Sequence, residues 1–440
     1  MLPGPQNSRT ANRLEAKLRP GNKLNDHGVR QAQTTMASWA GGFYRRPVRA
    51  LIGLSCGAAL LVLAHDSAPM GSTAKGAPGH KPSAGLAYFN DRVPDKPWSI
   101  HVLKVDRSHP GYELHSTLPG GRSIGLATLT EQIRSLPPGL GQPVAAINGD
   151  FWKNTKPYEG DPMGLQIAQG ELVSGPDPDR ACLWVDARGQ LQLGVVVPQF
   201  KVLWPDGRTT AFGLNEERPS DSVVLYSSAI GPSTRTLRGR ELILEQDGTN
   251  SWLPLRIGCK LSARVARVHE GGDAPIGTNQ LVLSIGPAAT ATVPAVQPGA
   301  VLTLCTDTTP TLTGAVTALG GGPKLIHQGQ PGTFKGLQTR HPRTAVGWND
   351  HYLFFVEVDG RQRSLSVGMT LPELTDYLLK LGCREALNLD GGASSTFWIL
   401  GQVMNSPSAG RLRPMCNALV LVRKPTSGNL SGSLPTARNR

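Results

Sequence analysis

One stretch concentrates the residues that could do chemistry: Glu385-Ala386-Leu387-Asn388-Leu389-Asp390-Gly391-Gly392-Ala393-Ser394-Ser395-Thr396. Residues 386–389 form a short, mostly apolar run of buried-strand length. That run delivers one carboxylate, Asp390, then two glycines, then three hydroxyls. Successive glycines let a backbone turn sharply and approach a ligand, because no Cβ intervenes. Their amides can form a concave anion-binding nest. A carboxylate beside a bound oxyanion can serve as acid, base or nucleophile. An Asp-Gly turn that merely ends a strand has the same local sequence, so the rest of the chain has to decide.

Three further clusters place polar side chains where strands are predicted to end. They are Asn148-Gly149-Asp150-Phe151, Gly320-Gly321-Gly322-Pro323, and His341-Pro342-Arg343-Thr344 together with Asp359-Gly360-Arg361. Asp150 and Asp390 are the leading catalytic carboxylates, with Asp359 and Glu357 in reserve. Arginine presents a planar fork of donors that suits phosphate or carboxylate. Arg343 and Arg361 are therefore the candidate anion ligands, beside the amides of Gly391, Gly392 and Ala393. Asn148, His341, Thr344, Ser394 and Ser395 complete the substrate-binding set. The distance between carboxylates is not written in a sequence, so nucleophile and acid stay unassigned. No Cys-x-x-Cys pair or His spacing indicates a metal, and neither metal nor cofactor is expected. Aspartate clusters of this kind can in general hold Ca²⁺ or Mg²⁺.

The order of these clusters resembles the phosphodiester glycosidase family. The resemblance rests on the four motifs above and on Asn388 to Ser395, with Asn405-x-Pro407 and Arg413-Pro414 as the last motif. It covers about residues 140–422, and Ala393 stands where the family usually has a third glycine. It implies cleavage of a sugar 1-phosphodiester on the glycosidic side, releasing a sugar and a phosphomonoester. The partner implied is a phosphorylated carbohydrate. Such chemistry needs carboxylates about the anomeric carbon and cations or amides for the phosphate. Because a phosphate ester already leaves well, a general acid matters less than in ordinary glycosidases. Two other readings stay open: a non-catalytic carbohydrate-binding envelope protein, and a serine-dependent hydrolase using Ser394 or Ser395. The second lacks the Gly-x-Ser-x-Gly elbow and a motif-placed histidine.

The elements that must carry these clusters are mostly short. Strands are predicted at 99–105, 143–147, 324–327, 343–348, 352–358, 396–400 and 417–422, with a hairpin turn at Asn349-Asp350. Helical spacing runs over 126–136, and again at Leu371, Leu374, Leu378 and Leu381, with Pro372 early and Gly382 after the end. Between about 180 and 310 strands recur at 182–186, 191–197, 222–226, 241–245, 280–285 and 300–305, read as a β-rich insertion. The fold class expected is α+β, with mixed, largely antiparallel β-sheets and a few flanking helices in one phosphodiester-glycosidase-like domain over 85–424. The 52 glycines and 36 prolines among 440 residues agree with many turns.

Charge and termini set the surroundings. The net charge of +13 suggests nucleic acid until it is located: residues 1–80 carry +7 and residues 423–440 carry +4, leaving +2 for 81–422. A middle this balanced gives no electrostatic reason for DNA or RNA binding. Arg45, Arg46 and Arg49 precede an apolar run of fifteen residues, 50–64, short for a membrane span and suited to a secretory signal. Residues 1–64 are thus read as an extension and signal peptide, with cleavage after Ala64 and Met36 as an alternative start. The protein is expected to be secreted, periplasmic or in the cell envelope, without stable membrane insertion after cleavage; a retained signal anchor is the alternative. Residues 65–84 read as a linker and 425–440 as a disordered tail. The five later cysteines, Cys182, Cys259, Cys305, Cys383 and Cys416, are read mainly as buried free thiols. Oligomeric state is left open.

Overall fold

Four largely antiparallel sheets build the described residues, and alternating or continuous apolar strands explain each of them. The structure is a computed structural model that describes residues 84–425 except Pro94, Asn250 and Leu337. The expected signal peptide, most of the expected linker and nearly all of the expected tail lie outside the described residues. The strand order of the first sheet is Leu86–Val93, Trp98–Asp106, Tyr352–Val358, Arg343–Trp348, Glu385–Asn388, Lys324–His327 and Gln330–Pro331. A second, five-stranded sheet has Gln142–Asn148 at its centre, between Phe397–Ile399 and Ala418–Arg423. A third is centred on Thr317–Gly321, between Gln166–Ala168 and Ala181–Val185. The fourth has eight strands, drawn from Val197–Leu203 through Val301–Thr309. Every named strand pair is antiparallel except Gly213–Leu214 with Val223–Tyr226.

Helix is scarce, so the α+β expectation becomes a sheet-built fold with two α-helices among the described residues. Leu371–Lys380 starts at a capping box, in which Thr370 accepts from the Glu373 amide and Glu373 reaches back to the Thr370 amide. It ends at Gly382, whose φ of 84° is the left-handed conformation that glycine adopts without a Cβ penalty. Its buried Leu374 and Leu378 pack with Ile100, Ala345 and Val356, covering one face of the first sheet. The second helix, Leu129–Arg134, is shorter than the 126–136 spacing because Thr128 caps it by the same box. It packs with Ala146 and Val420 over the second sheet. A common core containing Val144, Leu183, Leu319, Val346, Phe355 and Leu419 joins the first three sheets.

The glycine cluster at 320–322 is not the loop its sequence suggests. Gly320 and Gly321 are buried residues of the strand Thr317–Gly321. Their missing side chains serve packing. A Cβ on Gly320 would collide with Asp150 Oδ2, and one on Gly321 would lie 2.8 Å from the Asn388 carbonyl oxygen. All five described cysteines are free thiols, four of them buried.

Candidate active site

The ends of two strands from different sheets meet at the site. Asn148 ends one and Asn388 ends the other, and the chain leaves each toward a carboxylate, Asp150 and Asp390. The junction is fixed by hydrogen bonds. The Asp390 amide donates to the Gly149 carbonyl (2.9 Å), and Asn148 Nδ2 donates to the Asp390 carbonyl (2.6 Å). Asn148 Oδ1 accepts from Thr344 Oγ1 (2.7 Å) and from the Thr396 amide (3.0 Å). Asn148 and Thr344 are thereby buried in the frame of the site, where their polar atoms are committed to one another. Asn417, which sequence reasoning did not single out, does similar work: its Oδ1 accepts from the Asp150 amide (2.7 Å).

The two carboxylates feel one another but sit in different surroundings. The Asp150 side chain has no exposure. Its Oδ1 accepts from the Phe151 amide (2.8 Å) and from Arg180 Nη2, while Oδ2, packed against Gly164 and Gly320, has no hydrogen-bond partner among the described residues. Burial pushes its carboxyl up to about 6; Arg180 and the Phe151 amide oppose this, and the charge of Asp390 adds to it. Asp390 is partly exposed, and its Oδ1 accepts from the Gly391 amide (2.9 Å). Burial raises its carboxyl as well, against the pull of Ser394, the Gly391 amide and Arg413. Arg180 and Arg413 are functional candidates that the sequence reading did not name as site residues. Arg413 stacks over Trp152 (4.7 Å to the ring centroid) and donates to Ser394 Oγ (3.1 Å). Its place in the last family-like motif was the available signal.

A cationic cluster adjoins the Asp390 turn. The Arg361 guanidinium lies against Gly392, where a Cβ would come within 2.9 Å of Nη2. Arg361 Nη2 also donates to His341 Nδ1 (3.3 Å). Burial, Arg361 and Arg343 all lower the His341 pKa, favouring the neutral ring. Arg343 spends two donors on backbone, Nε on the Met369 carbonyl (2.8 Å) and Nη2 on the Thr339 carbonyl (2.9 Å). Neither Arg343 nor Arg361 has an acidic partner within 4.0 Å among the described residues. The expected amide nest is a different matter. The Gly391 amide is taken by Asp390 and the Gly392 amide by the Pro342 carbonyl (2.9 Å). Glycine is needed at 391 because a Cβ would lie 2.7 Å from the Pro342 oxygen, and at 392 because φ is 63°.

Asp359 does not join the Asp150–Asp390 pair in any hydrogen bond. Its Oδ2 accepts from Ser99 Oγ (2.8 Å) and pairs with His101 Nε2 (3.1 Å), and its Oδ1 accepts from the Ser406 amide (2.7 Å). Beside it, Glu357 receives Asn405 Nδ2 at Oε1 (3.2 Å), and its Oε2 has no partner among the described residues. Burial, with Asp359 next, raises the Glu357 carboxyl well above its ordinary value. His101, Glu357 and Asp359 bring ligand-type atoms within 4.8 Å of one another, the one group of three among the described residues that could converge on a metal. Ser394 Oγ is held by Arg413, and Ser395 Oγ is buried without a partner among the described residues, so no serine–histidine pair forms.

Comparison with known proteins adds to this geometry. Residues 260–422 match the phosphodiester glycosidase family. That stretch carries Asp390, Asp359, His341, Arg343, Arg361 and Arg413, whereas Asn148 and Asp150 precede it. SPbeta prophage-derived uncharacterized protein YomE of Bacillus subtilis (strain 168) is 36% identical over 90 residues, 20% of this chain and 14% of that protein. A Synechocystis protein structure superposes with a TM-score of 0.61 at 22% identity, covering 77% of this chain and 62% of that one. One from Burkholderia pseudomallei K96243 gives 0.58 at 23%, covering 74% of each chain. The two structural likenesses establish the shared fold.

Proposed function

We propose that the protein hydrolyses a sugar 1-phosphodiester at its glycosidic bond, acting on a phosphate-linked glycan or glycoconjugate. One observation carries this reading: Asp390, whose charge reaches the buried Asp150, leads into a glycine turn set against Arg343 and Arg361, two arginines without acidic partners among the described residues. Arg343 is half-buried and Arg361 exposed; cations that no acid neutralises attract an anion, and arginine forks match phosphate. The family match over 260–422 supports the same class of reaction.

The roles follow from the environments. Asp390 is the more exposed member of the pair, so its carboxylate meets the positive charge that develops at the anomeric carbon. The charge of Asp390 in turn adds to the burial that raises Asp150 to about 6. Arg361, His341 and Arg413 border the leaving phosphate, and Arg343 holds the loop that carries His341. The C1–O bond breaks with its electron pair going to the phosphate oxygen. Water then supplies a hydroxyl to C1 and a proton to the medium. Export is proposed on the basic-then-apolar run ending at Ala64; N-terminal sequencing of envelope protein that begins near His65 supports it, and an intact apolar run contradicts it.

The test is hydrolysis of sugar 1-(aryl phosphodiesters) in heavy-oxygen water. Free sugar carrying the label, with an unlabelled phosphomonoester, is expected. Label in the phosphate means P–O cleavage and overturns the reading. Tight binding without turnover favours the carbohydrate-binding alternative.

A further inference from the structure

A cavity lies close to Asp150, whose charge acts on its lining residue Asp161, and two short connectors lead to it. Asp150 leads to Lys153, and Arg180 is preceded by Asp177; Lys153 and Asp177 both line this cavity. Its volume is about 440 Å³, within the range of about 300–1,000 Å³ for small-molecule sites. Asp161 lines it with 3% exposure, and its Oδ1 is buried without a hydrogen-bond partner among the described residues. A carboxylate oxygen left in that state costs stability unless a donor reaches it. Asp177 and Glu216 add two more carboxylates, while Met163 and Leu214 supply apolar wall. The lone ammonium, Lys153, stands 3.7 Å from Glu217 outside the cavity and balances Asp161 only in part. Burial pushes Asp161 up to about 8, with Glu216 and Asp150 adding to the shift.

We propose that this cavity is a substrate subsite for an amine-bearing sugar, whose ammonium group pairs with Asp161. A metal ion fits less well, because the carboxylate oxygens of Asp161, Asp177 and Glu216 do not converge: the three are not within 4.8 Å of one another. Spread acids with apolar wall suit a larger organic cation. Burial keeps Asp161 largely protonated at neutral pH, so as the ammonium binds the carboxyl gives up its proton and forming the pair releases one proton to the medium. Calling the cavity a substrate subsite rests on the phosphodiester reading; the binding itself does not.

The experiment is calorimetry of the full chain with the β-1,4-linked glucosamine disaccharide and with its fully N-acetylated counterpart, at neutral pH and low salt. The free amine is expected to bind at least tenfold more tightly, and the preference is expected to vanish in Asp161→Asn and to weaken several-fold in Glu216→Gln. Glu216 is exposed, so that variant stays informative if Asp161→Asn fails to fold. Asp390→Asn is expected to keep the preference, which separates this binding from turnover. Equal affinities, no binding of either sugar, a preference that survives Asp161→Asn, or displacement of the amine by millimolar calcium would each overturn the proposal.

Discussion

Two carboxylate pairs, Asp150–Asp390 and Asp359–Glu357, look alike as sequence and differ completely in their company. Each lies at a strand end near a glycine, and each contains at least one acid raised by burial. Around Asp359 the neighbours are Ser99 and His101 on one segment and Ser406 on another, and they satisfy both of its oxygens, while Asn405 reaches Glu357. Around Asp390 the neighbours are Arg413, a glycine turn with Arg361 against it, and a partly exposed edge. A satisfied acid braces a fold; an acid kept partly exposed among cations is poised for a reaction. The difference is one of tertiary partners, and substitutions can break or sharpen it.

The largest structural effect is expected at Arg180. Removing one partner of a buried ion pair typically costs about 3–5 kcal/mol, and Asp150 has no exposure with which to recover water. Arg180→Ala should therefore lower Tm strongly and push Asp150 above about 6, because the opposing cation is gone. The sign follows from linkage. The folded pKa exceeds the ordinary 3.8, so between those values the folded state holds a proton that the unfolded state has released. Stability from this group falls as pH rises from about 4 to about 6 and is then constant. In Arg180→Ala the fall should extend to higher pH, as Tm against pH would show. An unchanged profile would mean that Asp150 is not governed by Arg180.

A smaller effect is expected at Asp359. Asp359→Asn sets a donor where Ser99, His101 and the Ser406 amide converge. Loss of such buried hydrogen bonds costs about 1–3 kcal/mol, so Tm should fall while turnover per folded molecule stays within several-fold. A stable but inactive variant would move Asp359 into the catalytic set. The smallest effect belongs to Glu357→Gln. Burial already favours the protonated carboxyl, which Gln imitates in shape and neutrality. Stability should change by no more than about 0.5 kcal/mol, and a large loss in chemical denaturation would show that Glu357 is ionised.

Much of the framework was legible. The strands Arg343–Trp348, Tyr352–Val358 and Lys324–His327 and the helix Leu371–Lys380 follow their apolar periods closely. Leu86–Val93 and Lys260–Glu270 were missed because polar residues interrupt their alternation on exposed faces. Gly320–Gly322 reads as a loop because glycine signals turns, whereas Gly320 and Gly321 lie inside the strand Thr317–Gly321 and make room for Asp150 and the Asn388 carbonyl. At the site, Asp150, Asp390 and Arg361 were legible as types and motifs. Arg180, Asn417 and the commitment of Asn148 to Thr344 were not, since each partnership spans tens to hundreds of residues of chain.

The most direct measurement is kcat and Tm together on one preparation of Asp390→Asn. Asn keeps an oxygen that can accept the Gly391 amide, and it removes a charge that burial disfavours. The Tm should therefore stay within a few degrees of the parent, while kcat falls at least about a hundredfold, the scale of one acid–base or electrostatic group. A variant that turns over normally but melts early would contradict this and return Asp390 to the role of a structural turn.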